Sequence, residues 1–197
     1  MGGRKNKKLE LRNGIFIVGE GITEQYYFTH LKQLKKYKCS VKPRFFGKTS
    51  IDEISRTVNT LLMGGVSVIC IFDTDVSTRD AVENGKLTKF KKKYQKNDLV
   101  TICDTLPSIE FWFLLHFVKT NKQFVNTKSL EKELKKHLPD YNKTEGYLKN
   151  KTWVEQFIDQ LNFACVNAKA IDQTQGCSYS NIFKAINLLE KKAKCGA

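Results

Sequence analysis

The sequence predicts an α/β protein in which a mainly parallel β-sheet is flanked by helices, with a helical C-terminal part. The clearest observation is the apolar run at residues 66–72, which follows Gly64-Gly65 and stops at Asp73. A continuous apolar run of this length is typical of a strand buried on both faces. Further apolar runs alternate with helical patterns in β-α-β-α-β order, which implies parallel strands joined by right-handed crossovers.

The first strand is expected at residues 14–18, after a charged lead-in at residues 1–12. It ends at Gly19-Glu20-Gly21, where the glycines allow a tight turn into a helix. The helix has apolar residues on one face, at Tyr27, Leu31 and Leu34. The turn lacks both the dinucleotide-binding glycine pattern and the lysine of a P-loop, so it predicts no nucleotide site.

The second strand is expected at residues 41–46, and Pro43 favours an edge position for it. Ser50 and Glu53 have the spacing of a capping box at the start of the next helix. This helix ends at Gly64 and leads into the apolar strand at residues 66–72.

The second half of the chain is mainly helical after a short strand at residues 99–103. No repeat or low-complexity linker interrupts it, so residues 13–197 are expected to form one domain with its sheet core in residues 13–118 and its helical part in residues 119–197. Helical patterns cover residues 106–117, 127–138 and 153–170, and a last one carries Ile182, Ile186 and Leu189.

The composition points to a polyanionic partner. The 197 residues include 34 basic and 20 acidic ones, a net charge of +14, which favours association with phosphate-rich molecules. A surface that serves only solubility remains the alternative. Six cysteines without a C-x-x-C pair argue against a zinc site or disulfide framework, and no apolar stretch has the length of a signal peptide or membrane span. A reduced, cytoplasmic protein is expected.

A lysine-rich segment is the candidate nucleic-acid contact. Two aromatic residues, Phe90 and Tyr94, lie among its lysines, and basic residues interleaved with aromatics can follow a nucleic-acid backbone and stack on bases. A solvated helix with two aromatic residues facing the core would have the same pattern, and both interpretations stay open. The lysines are Lys86, Lys89, Lys91, Lys92, Lys93 and Lys96.

Two acids end the central strand. Asp73 and Asp75 are two residues apart, so in an extended segment their side chains point the same way. Ligands of α/β sheets bind beyond the carboxyl ends of the strands, and a divalent cation between the two carboxylates would turn their repulsion into attraction. The alternative is an Asp-rich turn that serves only the backbone.

Other strand ends also carry acids. Glu20 and Glu24 follow the first strand, and Ser108 and Glu110 follow the fourth. The alternative for Glu24 is an acid favoured in the first turn of a helix by the helix dipole. The alternative for Ser108 and Glu110 is that Ser108 caps a helix and Glu110 lies in its first turn. Acids gathered at one rim of a basic protein are the arrangement expected of a magnesium site that works on a phosphodiester.

Three blocks of the sequence resemble the RloB-like family, which is related to the Toprim domain and associated with bacterial abortive-infection and restriction loci. The blocks are I-F-I-V-G-E-G-I-T-E-Q-Y-Y-F, I-F-D-T-D and P-S-I-E-F-W-F-L-L-H-F. Glu20 and Asp73-Thr74-Asp75 also match the glutamate and D-x-D of the Toprim domain, and Glu24 and Ser108-Ile109-Glu110 look like further motifs of OLD-family nucleases.

The resemblance implies a Toprim-like fold and a Mg²⁺- or Mn²⁺-dependent nuclease with one or two ions, acting on DNA or RNA, including tRNA, in anti-phage defence. It implies metal-binding or catalytic roles for Glu20, Glu24, Asp73, Asp75, Ser108 and Glu110, and Lys143 in Y-N-K is the candidate catalytic lysine. No ATPase segment is visible, so nucleotide-driven control would need an ATPase or another defence protein encoded nearby. The alternative is a non-catalytic Toprim-type module that binds nucleic acid, and the oligomeric state is left open.

Overall fold

The computed structural model describes residues 14–42, 50–74, 81–171, 173 and 176–195 of the chain. Within these residues five strands form one sheet in the order β2-β1-β3-β4-β5. Strands β1 to β4 are parallel, and β5 is antiparallel to β4, so the predicted mainly parallel α/β sheet is confirmed. The strands are β1 (Ile15–Val18), β2 (Cys39–Lys42), β3 (Ser67–Asp73), β4 (Val100–Leu106) and β5 (Tyr179–Ser180).

Helices connect the strands and make up most of the C-terminal half, which is consistent with the Toprim-like architecture that the resemblance implies. The described helices are α1 (Ile22–Lys35), α2 (Ile51–Met63), α3 (Ala81–Tyr94), α4 (Glu110–Leu114), α5 (Thr127–Leu134), α6 (Glu145–Leu148), α7 (Thr152–Glu155), α8 (Leu161–Lys169) and α9 (Ile182–Cys195).

The central strand β3 is buried on both faces, as its unbroken apolar run predicts. Its residues from Val68 to Phe72 are fully buried. Alternate residues belong to two separate cores: Val68, Cys70 and Phe72 pack with α2 and α3 on one face. Ile69 and Ile71 pack with α1 and the C-terminal helices on the other. This double burial explains why the run shows no polar alternation.

Aromatic side chains dominate the core on the α1 face. Phe113 and Phe157 stack with ring centroids 5.3 Å apart, and Trp153 lies edge-on to both. The indole Nε1 of Trp112 donates a 2.7 Å hydrogen bond to Tyr27 Oη. The C-terminal helices therefore pack directly on α1 and the sheet.

The predicted capping box at α2 is confirmed. Glu53 N–H donates to Ser50 Oγ, and Ser50 N–H donates to the Glu53 carboxylate. Strand β2 is an edge strand, as predicted, but it begins at Cys39. Pro43 and the rest of the expected strand lie outside the described residues, as do the lead-in at 1–12 and Asp75.

Two expected boundaries around β4 are wrong. The strand continues to Leu106 instead of ending at 103, because β5 pairs with Thr105 and Leu106 on its outer edge. The helix expected from 106 begins at Glu110, after a cis peptide bond between Leu106 and Pro107. Strand β5 itself is too short for the sequence pattern to indicate.

Three C-terminal elements also differ from the prediction. The helix expected at 153–170 is divided into α7 and α8, and the helix expected at 127–138 is regular only to Leu134. The short helix α6 begins at Glu145, between the helices expected at 127–138 and 153–170. Single helical turns of this length lie below what apolar periodicity can indicate.

Candidate acidic site at the carboxyl edge of the sheet

The ends of neighbouring parallel strands bring acids from separate parts of the sequence together. Glu20 follows β1, Asp73 is the last residue of β3, and Glu110 follows β4. The Glu20 carboxylate accepts a hydrogen bond from the main-chain N–H of Asp73, so the first and third strand ends are in direct contact. Asp75, the second acid of the D-x-D, lies outside the described residues.

Glycines at the β1–α1 turn leave room for the side chain of Glu24. A Cβ at Gly21 would lie 2.6 Å from Glu24 Oε2, and a Cβ at Gly19 would lie 3.1 Å from Glu24 Cβ. Gly21 has extended backbone, with φ of −128°, so its role is close approach rather than a left-handed conformation. Glu24 is only 4% exposed although it occupies the first turn of a helix.

Two carboxylate oxygens of this cluster are buried without a hydrogen-bond partner among the described residues. They are Oε2 of Glu24 and Oδ1 of Asp73. A buried polar atom without a partner costs free energy, on the order of 1–3 kcal/mol. Since two such atoms occur in one cluster of acids, the cluster favours a positively charged ligand.

Burial and mutual repulsion raise the pKa of Glu20, Glu24 and Asp73. Burial raises the pKa of Glu20 to about 8, and the neighbouring Glu24 raises it further. Burial also raises the pKa of Glu24 to about 7, with a contribution from Glu110. The pKa of Asp73 is well above its usual range, through burial and then through Glu24, Glu110 and Glu20. The cluster therefore resists full ionisation at neutral pH unless a cation joins it.

Glu110 differs from these acids because both of its oxygens are hydrogen-bonded. Ser108 Oγ donates to Oε2, and Tyr141 Oη donates a 2.7 Å hydrogen bond to Oε1. Lys143 Nζ lies 2.9 Å from the same Oε1. Ser108 is not the helix N-cap, a position held by Ile109 without a side-chain cap, so the simple capping interpretation of Ser108 is wrong.

The structure brings Lys143, the candidate catalytic lysine, to this edge of the sheet. Its ammonium lies 2.9 Å from Glu110 and 2.9 Å from Glu131 of α5. Burial lowers the pKa of Lys143, but Glu110 and Glu131 together outweigh burial, so the pKa is raised and the side chain keeps its charge.

Sequence reasoning missed Glu131 and Tyr141. Tyr141 begins the Y-N-K segment that contains Lys143, but the sequence assigned no role to Tyr141 itself. Glu131 lies in a helix that alternates lysine and glutamate like any solvated helix. Only the packing of α5 and its following loop against α4 brings Tyr141 to Glu110 and Glu131 to Lys143.

The donor set fits a hard divalent cation only in part. Mg²⁺ prefers carboxylate oxygens and commonly takes one or two of them, with water and substrate phosphate completing its shell. Glu24 and Asp73 offer such oxygens. Among the described residues, however, no group of three or more His, Cys, Asp or Glu side chains is arranged so that it could hold a metal ion.

The lysine-rich segment forms the helix α3, and its two aromatic residues face the core. Phe90 and Tyr94 are each 3% exposed, and the ring centroid of Phe90 lies 5.0 Å from that of Phe72 in β3. The interpretation of these rings as base-stacking groups is therefore wrong. Their spacing of four residues places both on the buried face of the helix.

The lysines of α3 divide into paired and exposed ones. Lys86 pairs with Glu83 at 2.8 Å and Asp52 at 3.2 Å, and Lys91 pairs with Asp104. Lys93 donates to Asn59 Oδ1 at 3.2 Å. Lys89, Lys92 and Lys93 are exposed, and so is Lys96, which follows the helix. A nucleic-acid contact at these side chains stays a prediction.

The fold and the site define a class: an α/β protein whose parallel sheet carries a buried cluster of acids at its carboxyl edge. A family model described as RloB-like protein matches residues 15–189. The chain therefore belongs to the RloB-like family, and this membership suggests a defence-related protein. No curated protein matched the chain in a search, and neither did any solved structure. Within the described residues, every helix is too short or too polar to cross a membrane.

Proposed function

We propose that this protein is a metal-dependent phosphodiesterase that cleaves nucleic acid, with Mg²⁺ or Mn²⁺ as its cofactor, in bacterial anti-phage defence. One observation carries the proposal: the ends of β1 and β3 meet in a cluster of acids in which Glu24 Oε2 and Asp73 Oδ1 are buried without a partner. A structural role for these acids would favour hydrogen bonds to both oxygens, as Glu110 has.

In this proposal Glu24 and Asp73 hold one ion, together with Asp75, and Glu20 either joins these ligands or acts as a general acid. The bound ion would polarise a phosphate oxygen and lower the pKa of an attacking water. The raised pKa values of Glu20 and Glu24 support the assignment, because a cation would offset the repulsion that raises them. A second ion at Ser108 and Glu110 would require Glu110 to give up its present partners.

Two side chains of the chain itself complete the proposed chemistry. Lys143 keeps its charge, and its side chain is 40% exposed, so its ammonium can bind a non-bridging phosphate oxygen. Where Glu20 is not a ligand of the ion, its pKa of about 8 allows it to hold a proton near neutral pH and donate it to a leaving oxygen.

The surface supports a nucleic acid as the substrate. The net charge of +14 coexists with this acidic cluster, so the basic groups lie elsewhere and can hold a polyanion while the acids hold the ion. Membership of the RloB-like family supports the defence role. An ATPase or another defence protein as partner remains part of the proposal.

The test is cleavage by purified protein of a panel of tRNA, single-stranded DNA and duplex DNA, with and without Mg²⁺ or Mn²⁺. We expect metal-dependent cleavage of at least one substrate and its loss in Asp73→Asn, with folding unchanged. Asp159→Asn is the matched control, because Asp159 is an exposed aspartate far along the chain.

Two outcomes would contradict the proposal. Metal-dependent cleavage that survives in Asp73→Asn would place the chemistry elsewhere. Binding of the panel without cleavage under any metal condition would favour the alternative, a non-catalytic nucleic-acid-binding module.

A further inference from the structure

We propose that the free outer edge of β4, at residues 100–103, is a docking site for an extended segment of a partner protein in which acidic and apolar residues alternate. The segment adds to the sheet as a further strand beside β4. This edge belongs to the amino-terminal half of the strand, whereas the acidic site follows its carboxyl end. The inference therefore does not rest on the proposed function.

Within the described residues, the outer edge of β4 is covered only where the strand ends. Strand β3 pairs with residues 100–105 on the inner edge, and β5 pairs with residues 105 and 106 on the outer edge. No other strand in the described part of the chain lies beside residues 100–103 on the outer edge. An uncovered edge presents main-chain donors and acceptors with which another extended chain can pair.

The main chain of Ile102 points to this edge. Along a strand, the N–H and C=O groups of successive residues point alternately to its two edges. The C=O of Asp104 accepts a 2.8 Å hydrogen bond from Asn181 N–H on the outer edge, so Ile102, two residues earlier, also faces outward. No main-chain hydrogen bond to Ile102 from that side occurs among the described residues. An added strand can therefore bond to both its N–H and its C=O.

A groove with a volume of about 390 Å³ lies along this edge. Helix α3 lines the groove on one face of the sheet, and Lys184 of α9 lines it on the other. Val100 and Ile102 pack with the core on the α3 face, and Cys103 packs with the core on the α9 face. Thr101, two residues before Cys103, therefore points to the α9 face as well. One side of the groove thus carries apolar side chains of β4, and the other carries Thr101 and Lys184.

Charge and polarity define the occupant. Lys91 of α3 also lines the groove, but it pairs with Asp104. Lys184 is exposed and has no ion pair with an acid in the part of the chain that the structure describes. Side chains of a strand alternate between its two faces. An added strand with acids on the α9 face and apolar residues on the α3 face therefore gives Lys184 a partner and covers Val100 and Ile102.

A second copy of this chain fits the edge less well. If two copies paired antiparallel about Ile102, residue 100 of one copy would have to lie beside Asp104 of the other, where Asn181 already lies. Each copy also has a net charge of +14, so the lysines beside the two edges would repel each other. Lysines at an edge strand commonly prevent such pairing. The charge that discourages a second copy favours an acidic segment.

The test uses a capped, fluorescein-labelled peptide of about eight residues that alternates glutamate with valine, and fluorescence anisotropy measures its binding to the full chain. We expect it to bind about tenfold more tightly than the same peptide with lysine in place of glutamate. Two N-methylated versions separate strand addition from charge attraction. Methylation of the N–H groups of either the glutamates or the valines should abolish binding, and methylation of the other set should leave it unchanged. The reason is that only one edge of the added strand bonds to β4.

Variants of the groove test the same contact from the side of the protein. Lys184→Glu should weaken binding of the glutamate peptide about tenfold, because it replaces a cation of the groove with an acid. Lys128→Glu is the matched control, since Lys128 is an exposed lysine of α5 outside the groove. Ile102→Pro removes the outward N–H, a change that strands tolerate at an edge, and should abolish binding. Thermal melting checks that each variant is folded.

Three outcomes would overturn the inference. Equal weakening by the two methylated peptides, or by Lys184→Glu and Lys128→Glu, would show attraction by diffuse charge alone. Absence of binding of the glutamate peptide at about 1 mM would exclude strand addition by an acidic segment. A dimer of the chain that Ile102→Pro dissociates would assign the edge to a second copy.

Discussion

Single residues at the β1–α1 turn decide where the carboxylate of Glu24 lies. A Cβ at position 19 or 21 would meet the Glu24 side chain, so glycine at both positions lets the carboxylate keep its present place. The sequence predicts glycine there for a tight turn, and the structure adds this steric reason. The position of the buried Glu24 carboxylate therefore depends on the two glycines.

Gly21→Ala tests whether the position of the Glu24 carboxylate matters for ion binding. A methyl group 2.6 Å from Glu24 Oε2 must displace the carboxylate, so we expect weaker Mg²⁺ binding, by tenfold or more, and loss of any metal-dependent cleavage. Calorimetry and the cleavage assay measure both effects. Gly146→Ala is the control, because a Cβ at Gly146 meets nothing within 4 Å. Unchanged ion binding in Gly21→Ala would contradict a role for Glu24.

At the scale of elements, the shortest strand is held by a side chain as well as by its ladder. Strand β5 has two residues, but the buried Asp104 of β4 accepts hydrogen bonds from Asn181 Nδ2 at 2.7 Å and Tyr179 Oη at 3.0 Å. Lys91 of α3 pairs with the same carboxylate. Burial alone would raise the pKa of Asp104, but Lys91 and these hydrogen bonds lower it, so the residue is ionised.

Asp104→Ala should destabilise the protein because it leaves buried donors without an acceptor. We expect a loss of about 1–3 kcal/mol in the free energy of unfolding, measured by urea denaturation. Asp98→Ala, at an exposed turn just before β4, should change stability by less than about 0.5 kcal/mol. Equal stability of the two variants would show that β5 does not depend on Asp104.

At the scale of the whole molecule, the charge of the acidic site opposes that of the surface. The chain has a net charge of +14, so raising the pH generally relieves repulsion among its basic groups. For the acids at the carboxyl edge of the sheet, raising the pH instead lowers the stability of the fold. The reason is that the folded state holds their protons more tightly than the unfolded chain does.

Without divalent metal, the contribution of these acids to stability should fall as the pH rises. The pKa of Glu20 is about 8 and that of Glu24 about 7 in the folded protein, against an ordinary value of 4.5. Their protons therefore stabilise the fold fully below pH 4.5, and this stabilisation is lost between pH 4.5 and about 8. Each proton changes the free energy of unfolding by at most about 1.4 kcal/mol per pH unit.

Thermal melting as a function of pH, with and without Mg²⁺, tests this linkage. We expect Mg²⁺ to raise the melting temperature more at about pH 9 than at about pH 6, since ion binding no longer has to displace protons. Glu20→Gln should reduce the pH dependence in the absence of metal. A melting temperature that Mg²⁺ raises equally at both pH values would contradict these pKa shifts.

The sequence by itself determined the parallel sheet, the double burial of β3 and the meeting of Glu20 with Asp73, because apolar runs and strand ends are local features whose consequences follow from strand geometry. It could not distinguish stacking from core positions for Phe90 and Tyr94, since both give the same spacing. Only the tertiary structure decided the bridge from Glu110 through Lys143 to Glu131 and the anchoring of β5 by Asp104. These contacts join side chains that are distant along the chain, and no periodicity in the sequence records which surfaces pack together.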